Sequence, residues 1–318
     1  MKKINRRIVF IADEIHQKGI QMLRNSGFKV LIKYYLNNRE LFEFIKNSYL
    51  KQETDICLII RSVRKLNKQD INILRSLNVK LVCTASSGFD NIDTSYCKKT
   101  GIKVFNVPYG NYISAAEHTV GLILNILKNI SNANTDMKSG LYESLKYKNF
   151  ELYSKTVGII GVGKVGSHAA KLCKSFGAKI IGNDIKKSLK YKYNWIIFKE
   201  LTELLKVSDI VSIHTPLDRT TRNLLNKNRL RIMKKNAVLI NCARGGIVDE
   251  NELIRLLKSN KIYYAGIDVF ENEPDINKNF KRTKNVILTP HLAGKTVESK
   301  ERISVQLAER IISHYSEM

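Results

Sequence analysis

The segment 156–166, TVGIIGVGKVG, constrains the fold of this chain more than any other stretch. A short β-branched run ends in G-x-G-x-x-G, and a helical pattern follows. Gly161 permits a tight turn, Gly163 lets the backbone approach a pyrophosphate, and Gly166 lets helix and strand pack closely. The start of the helix offers free N–H groups and a positive dipole end, so we expect it to bind phosphates.

A carboxylate completes a dinucleotide-binding pattern. A second apolar strand covers 178–182, and Asp184 stands at its end. An acid about 20 residues after the first glycine accepts hydrogen bonds from a ribose and repels a 2′-phosphate. Glycines also mark ordinary turns, but strand, loop, helix and acid together predict binding of NAD, preferred over NADP. The apolar face of the helix is expected to consist of Val165, Ala169, Leu172 and Phe176.

Length and cysteine use limit the class of protein. The 318 residues predict two domains. No apolar run reaches the ~18 residues of a membrane span, and the run 8–12 is too short for a secretory signal. The five cysteines show no C-x-x-C spacing, which predicts reduced, mostly buried thiols in a cytoplasmic protein. No metal site is expected, since no cluster of Cys or His occurs.

The net charge of +25 raises the question of a nucleic-acid partner. Basic residues are spread along the chain and are not interleaved with exposed aromatic residues in one segment. We therefore do not expect nucleic-acid binding. The positive field could still speed capture of an anionic substrate.

Alternating strands and helices predict an α/β fold with two doubly wound parallel sheets. Predicted strands in the first half are 8–12, 28–32, 56–60, 79–83 and 104–106, and predicted helices are 16–26, 38–49, 67–77 and 114–131. Later strands follow at 197–198, 210–213, 237–241, 265–270 and 286–289, with helices at 201–205, 226–233, 250–259 and 297–314. Asn67 is a predicted N-cap, and Ser114 with Glu117 suggests a capping box.

Three candidates for chemistry follow strands in the second half. Arg244 could bind a substrate carboxylate bidentately. His291 suits proton exchange with a hydroxyl oxygen, and Glu273 could orient its ring. Each alone could be a surface arginine, a helix-capping histidine or a solvated glutamate. Together, at successive strand ends of a dinucleotide-binding fold, they favour hydride transfer.

Two features of the first half suggest anion binding. The small-residue loop 84–93 follows a strand and could present N–H groups to an anion, or could be a plain turn. Arg61 follows the strand 56–60, where it could bind a phosphate or simply be solvated.

Several long motifs resemble those of the D-isomer-specific 2-hydroxyacid dehydrogenases. They are SSGFDNID at 86–93, VFNVPYGNYISAAE at 104–117, GIIGVGKVG at 158–166, SDIVSIHTPL at 208–217, NCARGGIVDE at 241–250, AGIDVFENEP at 265–274 and TPHLAG at 289–294. The resemblance spans nearly the whole chain. It implies a Rossmann NAD-binding domain inserted in a smaller flavodoxin-like substrate domain, with 1–106 and 290–318 in the substrate domain and 107–289 in the NAD-binding domain.

The resemblance also implies a role for each matched position. Arg244 corresponds to the carboxylate-binding arginine, His291 to the acid/base and Glu273 to its partner. The implied cofactor-binding residues are Ser87, Gly161, Gly163, Lys164, Val165, Asp184, Thr215, Pro216, Cys242, Ala243, Arg244, Asp268, His291 and Gly294. The implied substrate-binding residues are Ser87, Gly88 and Arg244, to which the strand-end argument adds Arg61.

The helix region 112–130 is implied to form a homodimer. Lys164 replaces a more usual arginine, and Lys128 to Ser131 replace Arg-x-Ile-Pro. These two departures keep a positive charge but weaken the expectation of an arginine that reaches across a dimer. Tyr142 replaces a common tryptophan. The chain leaves no room after its last helix for the regulatory domains of longer relatives, so no feedback inhibition by serine is expected.

The resemblance implies NAD-dependent oxidation of a D-2-hydroxy acid, with 3-phosphoglycerate, the entry to serine biosynthesis, as first choice. Arg61 favours a phosphorylated substrate. A glyoxylate/hydroxypyruvate reductase or a D-lactate-type reductase on the same scaffold is the near alternative. An NAD-sensing corepressor is an alternative of another class, against which the complete Arg/Glu/His set argues.

Overall fold

A computed structural model of the protein describes residues 7–48 and 55–317. Its strands are β1 Ile8–Ile11, β2 Lys29–Ile32, β3 Ile56–Ile60, β4 Val79–Thr84, β5 Lys103–Phe105, β6 Thr156–Ile160, β7 Lys179–Asn183, β8 Ile197–Phe198, β9 Ile210–Ile213, β10 Ala237–Asn241, β11 Ile262–Ile267 and β12 Val286–Leu288. Its α-helices are α1 Gln17–Asn25, α2 Asn38–Ser48, α3 Lys68–Ser76, α4 Thr94–Thr100, α5 Tyr112–Lys128, α6 Ile130–Lys138, α7 Lys164–Ser175, α8 Leu189–Lys192, α9 Leu201–Val207, α10 Lys227–Arg231, α11 Glu250–Lys258 and α12 Val297–Ser316.

The chain divides into two compact units. The first comprises Met1–Asn111 and Thr296–Met318. Its parallel sheet has the order β2-β1-β3-β4-β5, which is the flavodoxin-like order. The central strand β3 is apolar and buried at every position, as expected for a parallel strand covered on both faces. The helix α12 returns to this unit and packs on α1.

The second unit, Tyr112–Lys295, holds a seven-stranded parallel sheet of order β12-β11-β10-β9-β6-β7-β8. Read from β8, this is the Rossmann order with a seventh strand added. The strand order reverses between β6 and β9, and ligands of such sheets bind beyond the strand ends at this point. The predicted fold class of two doubly wound parallel sheets is therefore confirmed.

Most predicted elements occur with ends shifted by a few residues, and Asn67 forms the predicted N-cap. The predicted helix 38–49 ends in the structure at Ser48, and Tyr49 lies outside the described residues. The prediction of one helix over 114–131, capped by Ser114, is wrong. The helix α5 begins at Tyr112, so Ser114 lies inside it, and it ends at Lys128 because Asn129 adopts a left-handed φ of 51° before α6.

The predicted apolar face of α7 is also partly wrong. Phe176 is 46% exposed, whereas the buried face consists of Gly166, Ala169, Ala170 and Cys173. A Cβ at Gly166 would lie 2.0 Å from the carbonyl oxygen of Gly161. The small side of the helix thus faces the sheet, because only it permits this close approach.

The five cysteine side chains are unpaired and mostly buried, as expected. Cys57, Cys83, Cys97 and Cys173 are buried, Cys242 is half-buried, and all are free. Within the described part of the chain, no helix combines the length and apolarity needed to cross a membrane.

Candidate active site

The glycine loop joins β6 to α7 at the reversal of strand order. Gly161 has φ of 89°, and a Cβ there would lie 2.8 Å from the carbonyl oxygen of His214. Gly163 is the N-cap of α7 and provides no side chain to cap it. A Cβ on Gly163 would meet nothing within 4 Å. The start of α7 is the end of a helix that favours an anion, and there is open space above the loop at Gly163.

Asp184 follows β7 and is tied to the same loop. Its Oδ2 accepts a hydrogen bond from the N–H of Val162 at 2.8 Å, and its Oδ1 accepts one from Lys186 at 2.8 Å. A carboxylate has about four acceptor positions, so two remain for ribose hydroxyls. The acid thus shapes the loop as well as offering acceptors, a second task that its position in the sequence did not indicate.

Thr215 and Pro216 follow β9 on the other side of the reversal. The buried Oγ1 of Thr215 has no hydrogen-bond partner among the described residues. Its Cγ2 would lie 2.9 Å from a Cβ on Gly161, so it borders the glycine loop. A buried hydroxyl without a partner needs an explanation, and a polar ligand beside the loop supplies one. The residues present therefore fit a dinucleotide.

His214 is a histidine of this edge that does not suit proton transfer. Burial lowers its pKa to about 4, and its Nε2 lies 2.9 Å from Oγ of Ser212. The ring is therefore neutral at physiological pH, and its described polar partner is the Ser212 hydroxyl.

The loop after β10 carries Arg244. Its Nη1 donates to the carbonyl oxygen of Ala243 at 2.7 Å. Asn241 fixes the loop, since its amide donates to the carbonyl of Arg244 at 3.0 Å and its Oδ1 accepts from the N–H of Ala243 at 3.1 Å. Burial chiefly, with Asp268 nearby, raises the pKa of Cys242 to about 12, so its thiol stays protonated.

His291 and Glu273 form a direct pair. His291 follows β12, Glu273 follows the neighbouring β11, and Nδ1 of the ring lies 2.8 Å from Oε2 of the carboxylate. Oε1 of Glu273 accepts from the N–H of Phe270 at 3.0 Å, which fixes the carboxylate. Because a carboxylate only accepts, Nδ1 carries the proton, and Nε2 of the neutral ring is left as a base. The side chains are 45% and 36% exposed, so the pair can meet a ligand.

Asp268 directly follows β11 and holds the loop that carries His291. It is fully buried. Its carboxylate accepts from Oγ1 of Thr289 at 2.6 Å and from the N–H groups of Leu292 and Ala293 at 2.7 and 2.9 Å, and its carbonyl accepts from the N–H of His291 at 2.9 Å. The loop leading to Gly294 is thus built around one side chain. Its turn at His291 has φ of 55°.

Three residues that support the predicted site residues were not predicted from the sequence. They are Asn241, Thr289 and His118, and none of them has an expected role in the reaction itself. Thr289 and Asn241 lie inside the quoted motifs, close in sequence to His291 and Arg244. This closeness was the only feature of the sequence that could have identified them. His118 had no signal beyond the helical pattern, because its partners are remote in sequence.

The remaining predicted positions lie in the first unit. Arg61 follows β3, and its N–H donates to Oδ2 of Asp13 at 2.8 Å. No partner of its guanidinium is found among the described residues, whereas the neighbouring Arg64 is buried and paired with Asp13 at 2.9 Å. The loop of Ser87 and Gly88 follows the adjacent strand β4, and the amide of Asn106 holds it through the carbonyl of Ser87 at 2.7 Å.

A glycine loop, a helix start and a ribose-type acid at the reversal of a parallel sheet define a dinucleotide-binding protein. Comparison with known proteins agrees. Residues 120–293 match the family model described as D-isomer specific 2-hydroxyacid dehydrogenase, NAD binding domain. The chain belongs to the D-isomer-specific 2-hydroxyacid dehydrogenase family, and its second unit contains the NAD-binding domain.

Individual relatives carry different names. The chain is 36% identical over 305 residues to D-3-phosphoglycerate dehydrogenase of Methanocaldococcus jannaschii, covering 95% of this chain and 56% of that protein. It is 35% identical over 309 residues to hydroxypyruvate reductase of Thermotoga maritima, covering 95% and 96%. The structure of D-lactate dehydrogenase from Aquifex aeolicus with NAD and lactic acid superposes with a TM-score of 0.78 at 29% identity, covering 98% and 96%. The chain thus spans about half the length of its phosphoglycerate dehydrogenase relatives.

Proposed function

We propose that this protein oxidises a D-2-hydroxy acid, 3-phosphoglycerate, to the 2-oxo acid with NAD as hydride acceptor. The observation that carries the proposal is the 2.8 Å contact between His291 and Glu273 beside the buried Asp268, at the edge that also carries Arg244. A corepressor would need the glycine loop but not an oriented base, so this arrangement favours an enzyme.

The proposed chemistry assigns one task to each residue. Arg244 binds the substrate carboxylate and thereby fixes the hydroxyl-bearing carbon. Nε2 of His291 takes the hydroxyl proton as the C–H hydride leaves. NAD, which the glycine loop and Asp184 would hold, would supply the hydride acceptor. The imidazolium that forms is stabilised by Glu273, which keeps Nδ1–H in place. Reduction of the 2-oxo acid runs through the same groups, with the proton returned from Nε2.

Arg61 supports a phosphorylated substrate. Its guanidinium stands at a strand end without an acidic partner among the described residues, next to a β4 loop rich in small residues. The names of several relatives favour the same substrate. The near alternative is reduction of hydroxypyruvate, favoured by the relative that this chain matches over nearly its whole length.

The test is an assay of NADH absorbance with a panel of acids. It compares 3-phosphoglycerate with D-glycerate, which lacks only the phosphate, and includes D-lactate, hydroxypyruvate and glyoxylate. Arg61→Ala should raise KM for 3-phosphoglycerate about 10–100-fold, the value of a charge-assisted hydrogen bond, and leave D-glycerate nearly unchanged. The exposed Arg75→Ala is the matched control. A uniform loss for both acids would show that Arg61 does not bind the phosphate, and absence of turnover with every acid would overturn the proposal.

A further inference from the structure

The helix α5 places a histidine next to the buried carboxylate that holds the His291 loop. Nε2 of His118 lies 3.2 Å from Oγ1 of Thr289 and 3.6 Å from Oδ1 of Asp268. The His118 side chain is 24% exposed, while that of Asp268 is fully buried. His118 therefore reaches the one carboxylate on which the loop depends.

The direction of the hydrogen bonds follows from the chemistry of the groups. The hydroxyl of Thr289 donates its only proton to Oδ1 of Asp268 at 2.6 Å. Its oxygen can then only accept from His118, so Nε2 of His118 carries a proton. The result is a continuous chain of hydrogen bonds, in which His118 donates to Thr289 and Thr289 donates to Asp268.

This chain of hydrogen bonds ends at the backbone segment that carries His291, the proposed base. Asp268 accepts N–H groups from His291, Leu292 and Ala293 through its carbonyl and its carboxylate. Three of about four carboxylate acceptor positions are occupied by the Thr289 hydroxyl and the N–H groups of Leu292 and Ala293. Any change in the orientation of the carboxylate moves the turn at His291, where the backbone already has φ of 55°.

We infer that His118 is a positioning residue that acts through Thr289 and Asp268 to hold the His291 loop in its working geometry. The inference rests on the proposed function. His118 donates to the Thr289 hydroxyl and keeps the hydroxyl proton directed at Asp268. Without that donor the hydroxyl can rotate, and Asp268 loses one of the bonds that fix it. A displacement of the proton acceptor by a fraction of an ångström slows proton and hydride transfer, while Arg244 continues to bind the substrate carboxylate.

The test measures kcat and KM for oxidation of the best substrate in His118→Ala, His118→Gln, Thr289→Val and the His118→Ala/Thr289→Val double variant. His118→Ala should lower kcat about tenfold, the loss expected from one hydrogen bond, with KM within about twofold of wild type. His118→Gln should recover most of the loss, because its amide N–H can stand in for Nε2–H. The double variant should be no slower than the slower single variant, since both residues act through one chain. His168→Ala on α7 is the matched control.

Each outcome is decisive. Wild-type kcat in His118→Ala, or losses that multiply in the double variant, would overturn the inference. If the alanine and valine variants do not fold, His118→Gln is compared with His118→Asn, because only glutamine places a donor near the position of Nε2. Recovery by both amides, or by neither, would overturn it. Absence of turnover in the wild type would overturn the proposed function instead, so the two failures are distinguishable.

Discussion

Nδ1 of His291 lies 2.8 Å from Oε2 of Glu273, although 18 residues separate them in the sequence. Each residue follows its own strand, and the strands β11 and β12 are neighbours in a parallel sheet. The carboxylate fixes the ring so that Nε2 is the atom left for a substrate. This relationship makes the proposed mechanism testable by pH.

Oxidation should require a neutral His291, so its rate should rise with pH, and reduction should fall. His291→Asn should lower kcat about 10²–10⁴-fold, the usual contribution of general acid–base catalysis. Glu273→Gln removes the carboxylate that accepts from Nδ1–H and stabilises the imidazolium formed in the reaction, so it should lower kcat for oxidation. The measurement is kcat/KM against pH for the three proteins. Near-normal activity and an unchanged profile in His291→Asn would mean that the proton goes elsewhere.

Two glycines of the loop should respond differently to alanine. A Cβ at Gly166 would lie 2.0 Å from the carbonyl oxygen of Gly161, so Gly166→Ala should cost about 3 kcal/mol in the free energy of unfolding. Gly163 has open space, so Gly163→Ala should cost under about 1 kcal/mol. Its methyl should still weaken NADH binding at least about tenfold by blocking the approach to the pyrophosphate. Urea unfolding and NADH fluorescence titration separate the effects, and unaltered NADH affinity in Gly163→Ala would contradict this account.

Asp184 should set the preference for NAD over NADP. Its replacement by alanine would also remove the acceptor of the Val162 N–H, so Asp184→Asn is the cleaner variant. Asn can keep that bond while losing the charge, and Lys186 and Lys187 follow it. The ratio of NADPH to NADH dissociation constants should be well above one in wild type and about tenfold smaller in Asp184→Asn. Equal affinities of the wild-type protein for both cofactors would refute the prediction.

Glu252 should contribute to stability in a pH-dependent way. Its side chain is 7% exposed and accepts from Arg255 at 2.7 and 2.9 Å and from Arg231 at 2.8 Å. The hydrogen bonds from Arg255 first, then Arg231, lower its pKa to about 2. A pKa below that of the unfolded chain gives stability that is fully present above about pH 4.5 and is lost as pH falls towards 2.

Glu252→Gln should therefore lower the free energy of unfolding by about 2 kcal/mol at pH 7 and flatten its pH dependence below 4.5. The exposed Glu203→Gln, which breaks only the i,i+4 pair with Lys199, is the control and should change stability by less than about 0.5 kcal/mol. Chemical unfolding between pH 3 and 7 provides both values. Equal effects of the two variants would show that burial of the carboxylate does not matter.

Much of the fold was available from the sequence because the signals are local. A β-branched run followed by the glycine loop needs only neighbouring residues to specify strand, turn and helix. The continuous apolar run 56–60 was a predicted strand, and it forms β3, which is buried at every position. Local signals failed where the same residues were compatible with two different helix starts. Ser114 and Glu117 have the spacing of a capping box, yet the helix extends two residues further back to Tyr112.

The sequence by itself determined the dinucleotide-binding loop, the acid at Asp184 and the set of strand-end residues, because parallel strands bring their carboxyl ends to one edge whatever the packing details. Only the tertiary structure decided how those residues are held. His118 and Thr289 are 171 residues apart, and Thr289 and Asp268 are 21 apart, yet the three form one chain of hydrogen bonds. Such contacts depend on where α5 packs on the sheet and on how each strand turns at its end. No local sequence pattern predicts where α5 packs, because its position depends on the packing of the whole core.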